Sequence, residues 1–270
     1  MRIVITGMLV GFLSVAAMGQ DLSPLRRIMD DSLTGIELLA VPNGTTPMSH
    51  KVVMRWSNNA RGSETGITVL YLADGVPQAV CCVYPWEQSL IHEFDSLSRG
   101  RLVGKRDGAV VWTPESAGLS FQSVPEAEAP AENPAARLRQ MKSLAAGFSS
   151  TMLGWRADRS DREELRLLPQ PLYRYETTSG SIFDGAVFAF VQGTDPESLL
   201  LIEAVKDAQP ARWEYAFVRR TSGELEGRHK GVVVWHADQQ PQTKNPRSTH
   251  FSLGQPLDAA VLESLRTKDE

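Results

Sequence analysis

Disulfides are scarce by count: 270 residues hold two cysteines, and the two are neighbours, Cys81 and Cys82. Adjacent residues of a strand point to opposite faces, and Ala79-Val80-Cys81-Cys82-Val83-Tyr84 reads as a strand. The pair is therefore expected as free thiols filling a core, not as a bridge, a redox couple or a metal pair. An excess of basic charge is also lacking. Lys and Arg number 28 against 32 Asp and Glu, a net charge of −4, which argues against nucleic acid as the main partner. Long apolar runs are absent beyond residue 18, which excludes a multi-span helical membrane protein. The loops that announce cofactor or hydrolase chemistry are missing as well: no G-x-S-x-G, H-E-x-x-H, Walker loop, G-x-G-x-x-G or C-x-x-C occurs. No cofactor and no metal are expected.

What is present begins at the N-terminus. Arg2 precedes an apolar run from Ile3 to Met18, and Ala17-Met18-Gly19 places small residues at −3 and −1 of a cut before Gln20. This is the signal-peptide pattern, so residues 1–19 are expected to be removed and the chain to be exported, to the periplasm or outside the cell, with no membrane span after cleavage.

An internal repeat follows. Residues 97–112 (LSRGRLVGKRDGAVVW) and 220–235 (RTSGELEGRHKGVVVW) match at seven of sixteen positions, among them Gly104/Gly227, Gly108/Gly231, Val110/Val233 and Trp112/Trp235. Upstream, Arg55-Trp56 meets Arg174-Tyr175, Gly66 meets Gly185 and Pro77 meets Pro196, which sets the two cysteines opposite Leu200 and Leu201. Each copy reads as an antiparallel meander: a strand at 66–73, a turn at Asp74-Gly75, a return at 78–84 or 198–204, then a hairpin from 91–98 to 109–113 matched by 212–219 to 231–236. Asp107-Gly108 and Lys230-Gly231 fit tight turns of positive φ.

Between the copies, residues 114–133 carry prolines and glutamates and read as a stiff, solvated connector. Asn133-Pro134 then looks like a helix cap followed by proline at the first position. Leu138, Met141, Leu144, Ala145, Phe148 and Met152 recur at helical spacing, predicting an amphipathic helix over 134–152, within a segment bounded at 134–155, with Arg137, Arg139 and Lys142 pointing elsewhere. Shorter helices are expected at 22–31 and 257–267, and a mobile loop at 238–249. The fold class is α+β: two tandem antiparallel meanders, 20–113 and 165–254, with a central helix and a C-terminal helix or tail at 255–270.

Candidate chemistry is sparse. In His92-Glu93-Phe94-Asp95 a strand would put His92 and Phe94 on one face and Glu93 and Asp95 on the other. A carboxylate pair could do acid–base work, but the second copy has Tyr215, Ala216, Phe217 and Val218 there, so a solvated strand face is the expectation. His229, His236 and His250 lie near one chain end and could approach one another, or lie scattered on the surface. Arg55, Arg174, Trp112 and Trp235 are polar or aromatic positions held in both copies. They could form a duplicated site with aromatic platforms for a glycan or peptide, or serve the fold alone.

The stretches RLLPQPLYRYE (166–176), DGAVFAFVQGTDPESLLLIEA (184–204) and WEYAFVRRTSG (213–223) resemble a family of uncharacterised exported proteins of planctomycete-type bacteria. The resemblance implies a bacterial, extracytoplasmic setting and carries no activity. The leading expectation is a non-catalytic binding or assembly protein whose partner is a protein, a glycan or an apolar ligand. The alternatives are a carrier of an apolar ligand, favoured by an apolar sheet face under the central helix, and a hydrolase built on His92.

Overall fold

A computed structural model describes residues 23–41, 44–58, 63–153, 162–178, 180–206, 210–240, 243–258 and 261. The signal segment, the cut before Gln20 and most of the expected C-terminal helix lie outside them. The described chain is mainly antiparallel β, with two helices of eight residues or more.

The first half runs α1 (Ser23–Asp31), β1 (Ile36–Val41), β2 (Ser49–Asn58), β3 (Ser63–Ala73), β4 (Val76–Trp86), β5 (Ser89–Ser96), β6 (Arg101–Arg106) and β7 (Ala109–Trp112). After β8 (Gln122–Ser123), the second half runs α2 (Pro134–Ala146), β9 (Phe148–Leu153), β10 (Arg162–Leu167), β11 (Tyr173–Glu176), β12 (Ile182–Gln192), β13 (Asp195–Val205), β14 (Arg212–Arg219), β15 (Leu225–His229) and β16 (Val232–Ala237), and β17 (His250–Pro256) closes the chain. Strands β1-β6-β7 form one sheet and β17-β5-β4-β3-β2 a second; in the third, β10 joins two groups of strands into β16-β15-β9-β10-β12-β13-β14-β8, with β11 also on β12. β10 does this by pairing first with β9 and then, from Arg166, with β12.

Local chemistry sets the register at comparable points of both halves. Trp56 pairs with Gly66 and Tyr175 with Gly185. A Cβ on either glycine would overlap the facing aromatic ring, so the missing side chain is what lets the ring lie flat over the next strand. Asp74-Gly75, Asp107-Gly108 and Lys230-Gly231 all take positive φ at both residues, the backbone of a two-residue hairpin turn whose twist matches its strands.

Three expectations are corrected. Segment 91–98 does not form a hairpin with 109–113: β5 pairs with β4 and β17, while β7 pairs with β6 around Asp107-Gly108. The same holds for 212–219 and 231–236, since β16 pairs with β15. The central helix ends at Ala146, not near 152. Gly147 caps it, and Phe148, Ser150 and Met152 are then buried in strand alternation, a period of two that the three-residue step from Ala145 to Phe148 and the four-residue step from Phe148 to Met152 had disguised. The connector is not free of the body, because Gln122 and Ser123 pair with β14 and Val124 is buried. The Asn133 side chain does accept from the Ala135 and Ala136 amides, with Pro134 in the first turn.

Three apolar layers result. One lies between α1 and the first half's sheets, around Met29, Ile67, Tyr71, Cys81 and Phe94. Another lies under α2, around Met141, Phe188, Leu200 and Phe217. The third is the seam where the two large sheets pack back to back, with Leu70, Leu72, Val80 and Leu97 against Val187, Ala189, Leu199 and Leu201. Both cysteines are free and buried; Cys81 joins the first layer and Cys82 faces the other way, as strand alternation requires. The exchange of edge strands ties the halves together: β8, which follows the first half, pairs with β14, and β17, which follows the second, pairs with β5.

Candidate functional site

The seam holds a buried ionic cluster. On β5, Glu93 and Asp95 share the face turned toward the second half, while His92 and Phe94 take the other, as alternation dictates. The expectation of a solvated charged face is overturned: Glu93 is 4% and Asp95 5% exposed. Arg220, just past β14, lies enclosed between them. Its Nη1 donates to Asp95 Oδ2 and its Nη2 donates to the Glu93 carbonyl at 2.9 Å. His250 on β17 pairs directly opposite Asp95. Its Nδ1 lies 2.9 Å from Asp95 Oδ1 and its Nε2 lies 3.2 Å from Glu93 Oε1. Tyr84 donates its hydroxyl to Glu93 Oε2 at 2.9 Å; burial, then the Glu93 charge, drives its pKa well up.

Burial lowers the His250 pKa to about 4, with Arg220 and Arg219 pushing the same way against the pull of Glu93. The neutral ring donates through one nitrogen only. Nδ1 serves Asp95, and Nε2 makes no hydrogen bond of good geometry.

Above the cluster the seam opens as a cleft of about 140 Å³. Asp95, Thr249 and His250 line it from the first half's sheet, and Phe217, Arg219, Trp235 and Gln240 from the second. The Trp235 ring stacks on Phe217 at 5.3 Å and 11°. The Arg219 guanidinium spends its donors on the Thr221, Gly223 and Asp238 carbonyls and Gln240 Oε1, fixing the cleft wall. A second opening, of about 330 Å³, lies where β10 leaves β9 for β12, lined by Phe148, Leu165, Leu167 and Phe190 with Ser149, Glu164 and Arg166 at its mouth.

The residues singled out from the sequence scatter. Arg55 binds both oxygens of Asp30 on α1, at 3.0 and 2.8 Å. Arg174 binds Asp184 and the Pro134 carbonyl at the start of α2. Each arginine clamps a helix to a sheet. Arg137, expected to point away from the core, is buried and shares Asp184. Trp112 is 1% exposed and donates Nε1 to the Ser248 carbonyl at 2.8 Å, so it offers no platform; of the four binding candidates only Trp235 lines the cleft. His92 is fully enclosed against Ser32. The three C-terminal histidines do not meet: His229 packs on Phe148, His236 lies by Glu224 and Asp238, and His250 is in the cluster. Among the described residues no three His, Cys, Asp or Glu side chains gather to hold a metal.

Sequence reasoning missed Arg220 and the His250–Asp95 pair. One signal was available: two carboxylates on a strand whose counterpart carries Ala216 and Val218 need a cation brought from elsewhere in the fold. No protein-family model, no curated protein and no solved structure matches the chain.

Proposed function

We propose that this is an exported, non-catalytic binding protein, a tandem duplication of one antiparallel meander, that takes a saccharide unit in the seam cleft. The observation that carries the reading is Trp235, half-buried and stacked on Phe217 beside Asp95, Thr249 and Gln240. An aromatic face packs against the C–H face of a sugar ring, and the Thr249 hydroxyl and the Gln240 amide supply a donor and an acceptor for its hydroxyls, over a floor that the buried Asp95 holds in place. The duplication is supported by the matched turns and glycine–aromatic pairs, and export by the Arg2 and Ile3–Met18 pattern with small residues before Gln20. No helix among the described residues is long and apolar enough to cross a membrane. The non-catalytic reading rests on the histidines: His250 is held between two carboxylates and His92 is enclosed, so neither offers a free base to a substrate.

A second reading, a carrier of an apolar ligand, is favoured by the 330 Å³ opening with its floor of Phe148, Leu165, Leu167 and Phe190. The sheet face under α2 does not add to it, being filled by Met141, Ala145, Phe188 and Leu200. Co-sedimentation with purified bacterial envelope glycan separates the readings. The saccharide reading expects the wild type in the pellet and Trp235→Ala in the supernatant. Wild type left in the supernatant, or both proteins pelleting alike, would overturn it.

A further inference from the structure

One wall of the seam cleft is the half-buried side chain of Arg219. Every other buried or half-buried arginine among the described residues is in ion-pair contact with a carboxylate: Arg106, Arg137, Arg174, Arg212, Arg220 and Arg228. The Arg219 bonds go instead to the Thr221, Gly223 and Asp238 carbonyls and to Gln240 Oε1, all neutral acceptors. A guanidinium has five N–H groups, so one on Nη1 is left over. Burial lowers the Arg219 pKa, with Glu93 and Asp238 acting the other way, yet an arginine keeps its charge. The acidic groups nearby are committed elsewhere. Asp95 accepts from Arg220 and faces His250, Glu93 accepts from Tyr84, and the exposed Asp238 carboxylate faces His236.

An arginine only donates, so Oε1 is the Gln240 atom that faces it, at 3.0 Å. That leaves the Gln240 Nε2 group, which makes no bond among the described residues, as a second donor. Two side chains that line the cleft thus each keep an uncommitted N–H, and a hydrogen bond holds them side by side. We propose that the saccharide unit taken by this cleft carries a carboxylate, whose two oxygens accept from Arg219 Nη1 and Gln240 Nε2. The inference rests on the saccharide reading and narrows it to acidic sugars. A pair of adjacent donors suits the two oxygens of a carboxylate, and a hydrogen bond between charged groups is about twice as strong as one between neutral groups. Partial burial also screens the attraction less than open solvent does. A neutral sugar would leave the Arg219 charge without a counter-charge, as it is in the free protein. Trp235, stacked on Phe217 in the same cleft, is placed to take the ring while the two donors take the acid.

Co-sedimentation with bacterial envelope glycan tests it, using untreated glycan and glycan whose carboxylates have been converted to neutral amides with carbodiimide and ammonia. The wild type is expected to bind the amidated glycan about tenfold or more weakly than the untreated one. Arg219→Gln is expected to bind both equally, at the weaker level. Glycan stripped of its peptides is expected to hold the wild type as untreated glycan does, because the carboxylate belongs to the sugar. Wild type that pellets alike on untreated and amidated glycan, while Trp235→Ala pellets on neither, would overturn this inference and leave the saccharide reading standing. Wild type left in the supernatant with untreated glycan would overturn both. Binding lost with the peptides would assign the carboxylate to them, and an Arg219→Gln variant that still prefers untreated glycan would take the role from Arg219; either result refutes the proposal. The comparison on wild type alone decides the matter if Arg219→Gln does not fold.

Discussion

Arg220 of the second half closes a buried ion pair on Asp95 of the first, 125 positions away in the chain. Both side chains are nearly inaccessible, and the same guanidinium reaches the Glu93 carbonyl. A buried pair contributes little net stability against a well-packed apolar alternative, yet removal of one partner leaves the other charged and unpaired.

Arg220→Met is therefore expected to destabilise by about 3–5 kcal/mol. Adding Asp95→Asn is expected to restore part of that loss, because the orphaned charge is gone. Urea unfolding of the two variants and the wild type reads both numbers. A single variant as stable as the wild type would show that the pair is not closed in solution.

Acid should unfold the protein partly through His92. Ser32 donates its hydroxyl to the Met29 carbonyl at 2.7 Å, so it accepts from His92 Nε2 at 2.9 Å, and Nδ1 has no partner. Burial, helped by Arg106, lowers this pKa from 6.5 to about 4. The folded state then binds fewer protons than the unfolded one. Stability is complete above pH 6.5 and falls between 6.5 and 4, by up to about 1.4 kcal/mol per pH unit for one such group. His250 adds a similar slope. His92→Gln is expected to flatten the dependence by about one proton, measured as urea midpoints at pH 7 and pH 5.

Gly66→Ala should cost about 1–3 kcal/mol by overpacking, since its new Cβ meets the Trp56 ring. The second substitution Trp56→Leu is expected to relieve part of it. Gly185→Ala against Tyr175 should behave alike. Thermal melts of the four proteins check this, and a Gly66→Ala variant as stable as the wild type would contradict the close approach.

The tryptophans should part company. Trp112→Ala is expected to cost about 3–5 kcal/mol, as a fully enclosed side chain does. Trp235→Ala is expected to cost clearly less and to remove glycan binding. Equal destabilisation by the two would assign Trp235 to the core alone.

Thiol reagents should find nothing to react with in the native protein. Burial raises the pKa of both cysteines, and neither side chain is more than 3% exposed. Labelling is expected only after unfolding; quick labelling of native protein would contradict the packing of β4.

Local chemistry alone determined much of this molecule. Asp74-Gly75, Asp107-Gly108 and Lys230-Gly231 were readable as turns because few residue pairs tolerate two positive φ angles in succession. Strand alternation alone separated His92 and Phe94 from Glu93 and Asp95, and Cys81 from Cys82. Tertiary structure decided what those faces meet. His250 and Asp95 lie 155 positions apart, and the exchange of β8 and β17 between the halves leaves no periodic trace in either segment. Helical spacing misled at Phe148 and Met152 because positions separated by four are even-numbered steps along a strand as well as one turn of a helix, and burial in the sheet chose between them. A strand's own sequence states which side chains share a face; only the packing of distant segments states whether that face sees water, a helix or an arginine from the other half.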